Sequence, residues 1–203
     1  GSLRCWGYGG FGQLGIGSYP TGQTTPRFVD LGVGRTAVSV SLSSNSNAGH
    51  TCAILDDGSL KCWGANHNGQ LGTGGSYSQT PEPMRLESSI AHNLINISLG
   101  STHTCAISEF QFLFCWGYNY IGQLGLGTSG TGTNQNTPQL VDLGVGRTAV
   151  SVSLGQSHTC AILDDGSLKC WGYNLYGQLG IGTNGHTTNQ NTPQSLFLGA
   201  GRT

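Results

Sequence analysis

The segment HTCAILDDGSLKCWG stands at 50–64 and again, unchanged, at 158–172. It belongs to a longer period. CWG begins at Cys5, Cys62, Cys115 and Cys170, giving steps of 57, 53 and 55 residues (62−5, 115−62, 170−115). GQLG follows at Gly12, Gly69, Gly122 and Gly177, and a polar stretch then ends at Pro26, Pro81, Pro138 and Pro193. A period in the fifties means that each unit is one supersecondary element that buries its apolar face against its neighbours. The units divide the chain at 1–30 (second half of a truncated repeat), 31–86, 87–142 (divergent), 143–198, and 199–203 (start of the next). The opening GSLRCWG matches GSLKCWG at 58–64, so the chain is expected to be a window of a longer protein.

Within a unit the periodicity is two, not 3.6. AVSVSL at 37–42 and 149–154 alternates apolar with small polar residues, and TCAIL and SLKCW flank Asp-Asp-Gly. These are strand signals, and a three-residue loop with glycine in the left-handed position closes a hairpin. With Asp56, Asp57 and Gly58 as the loop, Ile54 faces Leu60, Ala53 faces Lys61 and Cys52 faces Cys62. Directly opposed cysteines are within bonding reach. The same register pairs Cys105 with Cys115 and Cys160 with Cys170, leaving Cys5 unpaired.

Three chemistries compete for these cysteines. A zinc site normally uses closer spacing and four converging ligands. His50, His103 and His158 each lie two residues before a cysteine, so a His-Cys-Cys set is conceivable, but its identical recurrence favours structure over catalysis. A redox pair would sit closer together in an electropositive setting. Structural disulfides fit best, and they argue for an oxidising compartment: secreted or cell surface. Asn96-Ile97-Ser98 is a glycosylation sequon compatible with that setting.

Composition narrows the function. Charged residues are 8% of the chain and the net charge is −1, which lacks the basic footprint of nucleic-acid binding. No apolar run approaches the roughly 20 residues of a membrane span. Trp6, Trp63, Trp116 and Trp171 occupy one repeat position, as rings that fill contacts between neighbouring units would. No catalytic set, metal cluster or phosphate-binding loop stands outside the repeat, so no enzyme activity, metal or cofactor is expected.

HTCAILDDGSLKCWG with YNLYGQLGIGT at 173–183 and a later proline resembles the regulator of chromosome condensation repeat. The resemblance recurs four times over essentially the whole chain. It implies an all-β fold, a β-propeller of four-stranded blades, here a partial propeller of about three and a half repeats. It also implies that the His-Thr, Trp-Gly and Gly-Gln-Leu-Gly elements hold each blade together. The cysteine-paired version resembles the secreted or surface branch. Guanine-nucleotide exchange is implied only for the nuclear branch, and the low charge and disulfides argue against it.

A binding face should appear where repeats disagree. The third reads SEFQFLF at 108–114 where its siblings read LDDGSLK, placing Phe110, Phe112 and Phe114 as candidate partner contacts or as packing. Variable polar loops at 43–50, 74–84 and 128–137 are further recognition candidates. The expected function is a non-enzymatic extracellular module for protein–protein interaction or structural assembly. Glycan binding through Asn/Gln/Tyr-rich loops is the alternative.

Overall fold

The computed structural model describes residues 1–45, 48–75, 78–83 and 93–199. It is all-β apart from one 3-10 turn at His186–Thr188. The first sheet pairs β1 (Arg4–Gly7) with β2 (Gln23–Phe28). Three four-stranded antiparallel meanders follow. They comprise β3 (Ala37–Leu42), β4 (His50–Leu55), β5 (Leu60–Gly64) and β6 (Ser78–Pro83); β7 (Leu94–Leu99), β8 (His103–Ser108), β9 (Leu113–Gly117) and β10 (Gln135–Leu140); and β11 (Ala149–Leu154), β12 (His158–Leu163), β13 (Leu168–Gly172) and β14 (Gln190–Ser195). Successive blades meet through their first strands, β3 against β7 and β7 against β11. This is a partial propeller of three blades and the outer half of another.

Hairpin chemistry sets the register. Gly58 and Gly166 take φ of 76° and 80°, while Asp57 and Asp165 each accept the following serine's N–H and hydroxyl. These turns place Ile54 opposite Leu60 and Cys52 opposite Cys62, with the equivalents in the other two blades. In the third blade Gln111 holds the glycine position at φ 64°. Its carbonyl accepts the Ala149 N–H at 2.9 Å and its Oε1 accepts the Thr148 hydroxyl at 2.8 Å. Contacts to the next blade thus hold a side chain in a backbone region that favours glycine.

The core lies between blades, not within them. The cysteine face of one blade packs on the tryptophan face of the next: Cys52, Ile54, Leu60 and Cys62 meet Leu94, Ala106, Phe114 and Trp116. Cys105, Ile107, Leu113 and Cys115 meet Ala149, Ala161, Leu163 and Trp171 in the same way. Trp63, Trp116 and Trp171 are 0% exposed, whereas Trp6, on the two-stranded sheet, is 60% exposed.

All three cysteine pairs are bonded, with Cα atoms 4.1 Å apart in each. Cys5 is free and buried, and burial pushes its thiol pKa up. Closing so short a loop contributes about 2–3 kcal/mol per bond in the chain-entropy model. Cys52, Cys62, Cys105 and Cys115 are fully buried while Cys160 is half-buried. A dithiol reductant under native conditions is therefore expected to open Cys160–Cys170 first, with the other two following only as the blades open. Timed alkylation with peptide mass spectrometry reads the order, and simultaneous reduction of all three would refute it.

Candidate functional site

The residues that recur in every repeat converge at the blade junctions. The backbone carbonyl of Gln70 accepts two donors from the next blade, the Trp116 indole N–H at 3.0 Å and the Thr104 hydroxyl at 2.8 Å. Gln13 receives Trp63 and Thr51 in the same way, and Gln123 receives Trp171 and Thr159. A carbonyl with two lone pairs serves both donors. The third member reaches back across the junction: His50 Nε2 lies 2.8 Å from Thr104 Oγ1, and His103 Nε2 lies 3.0 Å from Thr159 Oγ1.

The proton on each histidine follows from counting. A threonine hydroxyl has one hydrogen, and the glutamine carbonyl can only accept it. Nε2 of His50 and His103 must therefore donate, which leaves each Nδ1 a bare acceptor. Both Nδ1 atoms are buried without a hydrogen-bond partner, as are the side-chain Nε2 atoms of Gln70 and Gln123. Burial pushes the pKa of His50 and His103 down to about 3, with neighbouring histidine charges adding to the effect at His103. His158, half-buried, is lowered by the same cause. These are neutral structural imidazoles.

An asparagine fastens three of the long loops, at 65–75, 118–134 and 173–189. Asn119 Oδ1 accepts the Leu124 N–H at 3.1 Å while its Nδ2 donates to the Thr128 carbonyl at 3.0 Å. Asn66 and Asn174 do the same in their blades. Its position, the second residue after CWG, is visible in CWGAN, CWGYN and CWGYN, but its role appears only once the loop is folded.

The metal reading of His-Cys-Cys finds no support: the thiols are consumed in disulfides and His50 and His103 face threonines. Among the described residues no His/Cys/Asp/Glu group is arranged to hold a metal. The phenylalanines divide. Phe114 is 4% exposed and fills the junction with the second blade, at the register position of Lys61 and Lys169, so it drops out of any partner surface. Its siblings differ because a lysine there reaches a loop carbonyl, as Lys169 Nζ does to Leu143 O at 2.9 Å. Phe110 and Phe112 are exposed at the hairpin. Asn96 sits half-buried in β7, beside a bulge and opposite Ile107. Residues 46–47, 76–77, 84–92 and 200–203, which include parts of the variable loops and of the next-repeat start, lie outside the described residues.

The alternating strands give the partial propeller two unlike faces. The connections β3–β4, β7–β8 and β11–β12 share one face with the long loops at 8–22, 65–75, 118–134 and 173–189. Ser43 Oγ to Ser101 O and Ser101 N to Gln156 O link adjacent blades there. The hairpins and blade-to-blade connections share the other. On that second face Arg35 bridges Asp56 and Asp57 at 3.7 and 3.1 Å, and Arg147 bridges Asp164 and Asp165 at 3.3 and 3.2 Å. Exposed ion pairs of this kind add at most about 1 kcal/mol.

Two models of the regulator of chromosome condensation (RCC1) repeat match the chain, one at 57–107 and 112–162, the other at 39–70 and 149–178. The human probable E3 ubiquitin-protein ligase HERC6 is 33% identical over 89% of this chain and 17% of its own length. Human WBSCR16 superposes with a TM-score of 0.80 at 22% identity, covering 98% of this chain and 49% of that one. Yeast RCC1 (Prp20), in a structure bound to Kap60, gives 0.79 at 20% identity, covering 98% and 46%. The chain thus spans less than half the length of each.

These comparisons correct the compartment. Ubiquitin transfer and chromosome condensation are intracellular processes, so the relatives point to an intracellular setting and not to a secreted or cell-surface one. The disulfides misled because a hairpin register that opposes two cysteines permits the bond without naming a compartment, and burial under the next blade, as at Cys52–Cys62 and Cys105–Cys115, slows its reduction. The glycosylation expectation at Asn96 rested on the same premise and loses it.

Proposed function

We infer that this chain, which belongs to the regulator of chromosome condensation repeat family, is a partial β-propeller that works by binding protein, without chemistry of its own. One observation carries this reading. The threonines, tryptophans and glutamine carbonyls at the three junctions hold blade to blade and the disulfides tie strands within each blade, so the repeated chemistry is architectural. What differs between blades lies on the rims, where a rigid scaffold presents loops for recognition. Yeast RCC1 (Prp20), which shares this fold, was solved bound to the protein Kap60, and that supports the reading. The ligase activity in the name of the human relative belongs to a protein of which this chain matches 17%.

Glycan binding remains the second reading, favoured by tyrosines and amides on the long loops. Guanine-nucleotide exchange is the third. Size-exclusion chromatography of a native extract, followed by reconstitution from purified parts, separates them. A stoichiometric complex with a second polypeptide is the expected result. Migration as a free chain that binds only oligosaccharides, or accelerated release of a fluorescent guanine nucleotide from a small GTPase, would refute it.

A further inference from the structure

The fold sorts the side chains in a way the repeat alone does not require. Every described Asp, Glu, Lys and Arg lies in the loops of the hairpin face or at the strand ends that lead into it: Arg4 opens β1, Lys61 and Lys169 are second in β5 and β13, and Arg27 and Glu82 are next to last in β2 and β6. Among the described residues the opposite face has none. Its loops at 8–22, 43–45, 65–75, 100–102, 118–134, 155–157 and 173–189 contain no Asp, Glu, Lys or Arg, and their basic side chains are the histidines His67 and His186. All described tyrosines lie on that same face. Tyr8, Tyr19, Tyr120 and Tyr176 are exposed, the last at 80%.

The tyrosines are held in place. Tyr118 and Tyr120 stack with centroids 6.3 Å apart at 13°, Tyr173 meets Tyr176 edge-on at 6.2 Å, and Tyr8 meets Phe11 edge-on at 6.2 Å. Around them stand exposed Ser44, Thr128, Ser129, Asn134, Gln156 and Asn184. A cleft of about 500 Å³ opens beside Tyr8, lined by Gln13, Leu42, Ser43, Ser44 and Asn45.

Building on the protein-binding reading above, we propose that this charge-free tyrosine face is the recognition surface, and that its partner is an uncharged polypeptide surface rich in hydroxyl, amide and aromatic groups. Tyr with Ser, Gly and Asn is the composition that antibody loops use against protein: rigid amphipathic rings give area at low entropic cost, and small polar residues adapt their hydrogen bonds. A charged partner would lose hydration to a face offering no counter-charge. Breadth favours a protein over a glycan, since the face runs over four sheets whereas small-ligand sites are enclosed pockets. Without charge there is no steering, so association proceeds at about 10⁵–10⁶ M⁻¹s⁻¹.

The test pans a phage-displayed library of random dodecapeptides on the immobilised chain, then on Tyr120→Ala/Tyr176→Ala and on Arg147→Glu. All three positions are exposed, and near-ultraviolet circular dichroism checks that each variant is folded. Selected peptides are expected to be depleted in charged residues. Their affinity should hold within about twofold between roughly 0.1 and 1 M salt, over which the screening length falls from about 10 to 3 Å. The double tyrosine variant should bind at least about tenfold more weakly, and Arg147→Glu unchanged. Charged, salt-sensitive peptides, or peptides indifferent to the tyrosines, would overturn this face while leaving the protein-binding reading intact. Elution by neutral oligosaccharides would reassign the face to a glycan, and a library yielding no binder to it would also overturn the proposal.

Discussion

Between pH 6 and pH 4 the protein is expected to lose stability with a slope that approaches two protons, roughly 2–3 kcal/mol per pH unit. His50 and His103, neutral and buried at the junctions, have folded-state pKa values of about 3. In the unfolded chain they return to the ordinary value near 6.5, so between those limits the unfolded state binds two more protons than the folded one. Stability from these groups is fully present above pH 6.5 and drains as the pH falls towards 3. Asp57 and Asp165, lowered chiefly by hydrogen bonds from Ser59 and Ser167, add to the loss only as the pH drops through the carboxylate range. Urea midpoints taken at half-unit pH steps measure the slope. A flat profile from pH 6 to 4 would refute the assignment, and His103→Gln should halve the slope.

Replacing Trp116 by alanine is expected to cost about 3–5 kcal/mol, the range for deleting a large buried ring. That is much of the roughly 5–15 kcal/mol that holds a domain together. The ring is fully buried between the second and third blades, and its indole N–H serves a carbonyl that keeps only Thr104 afterwards. Trp6→Ala supplies the control. The same repeat position, 60% exposed on the first sheet, should move stability by no more than about 0.5 kcal/mol. Denaturant unfolding of the two variants side by side gives the difference, and equal effects would mean that the junctions do not carry the fold.

Local chemistry was legible in the sequence. The Asp-Asp-Gly turn dictated a register, the register opposed the cysteines, and period two put Ile54 and Leu60 on their face. The junction relay was not legible, because Thr104 belongs to the repeat after the one that holds His50 and Gln70, and the three meet only when blades stack. Recurrence marked those residues as architectural without saying who touches whom. The tyrosine face was hidden for a similar reason. Low charge was plain from composition, but its segregation needs the knowledge of which loops share an end. Among the phenylalanines, divergence signalled change at one hairpin, and the blade contact then divided them, burying Phe114 and exposing Phe112. The compartment was misjudged because a hairpin register that opposes two cysteines permits a disulfide without naming the redox medium around it.

The junctions also have a sense of direction. Gln13, Gln70 and Gln123 always accept from the blade that follows, and Thr51, Thr104 and Thr159 always donate to the blade before. A reversed blade would set carbonyl against carbonyl and hydroxyl against indole, so neighbours recognise one another only head to tail. Copying a stretch of about 55 residues therefore supplies both halves of a new joint in a single event, ready to accept on one side and donate on the other. Such an array lengthens by duplication without inventing an interface, and the third blade's hairpin changed its side chains while its turn carbonyl, at Gln111 as at Gly58, still accepts an N–H of the next blade.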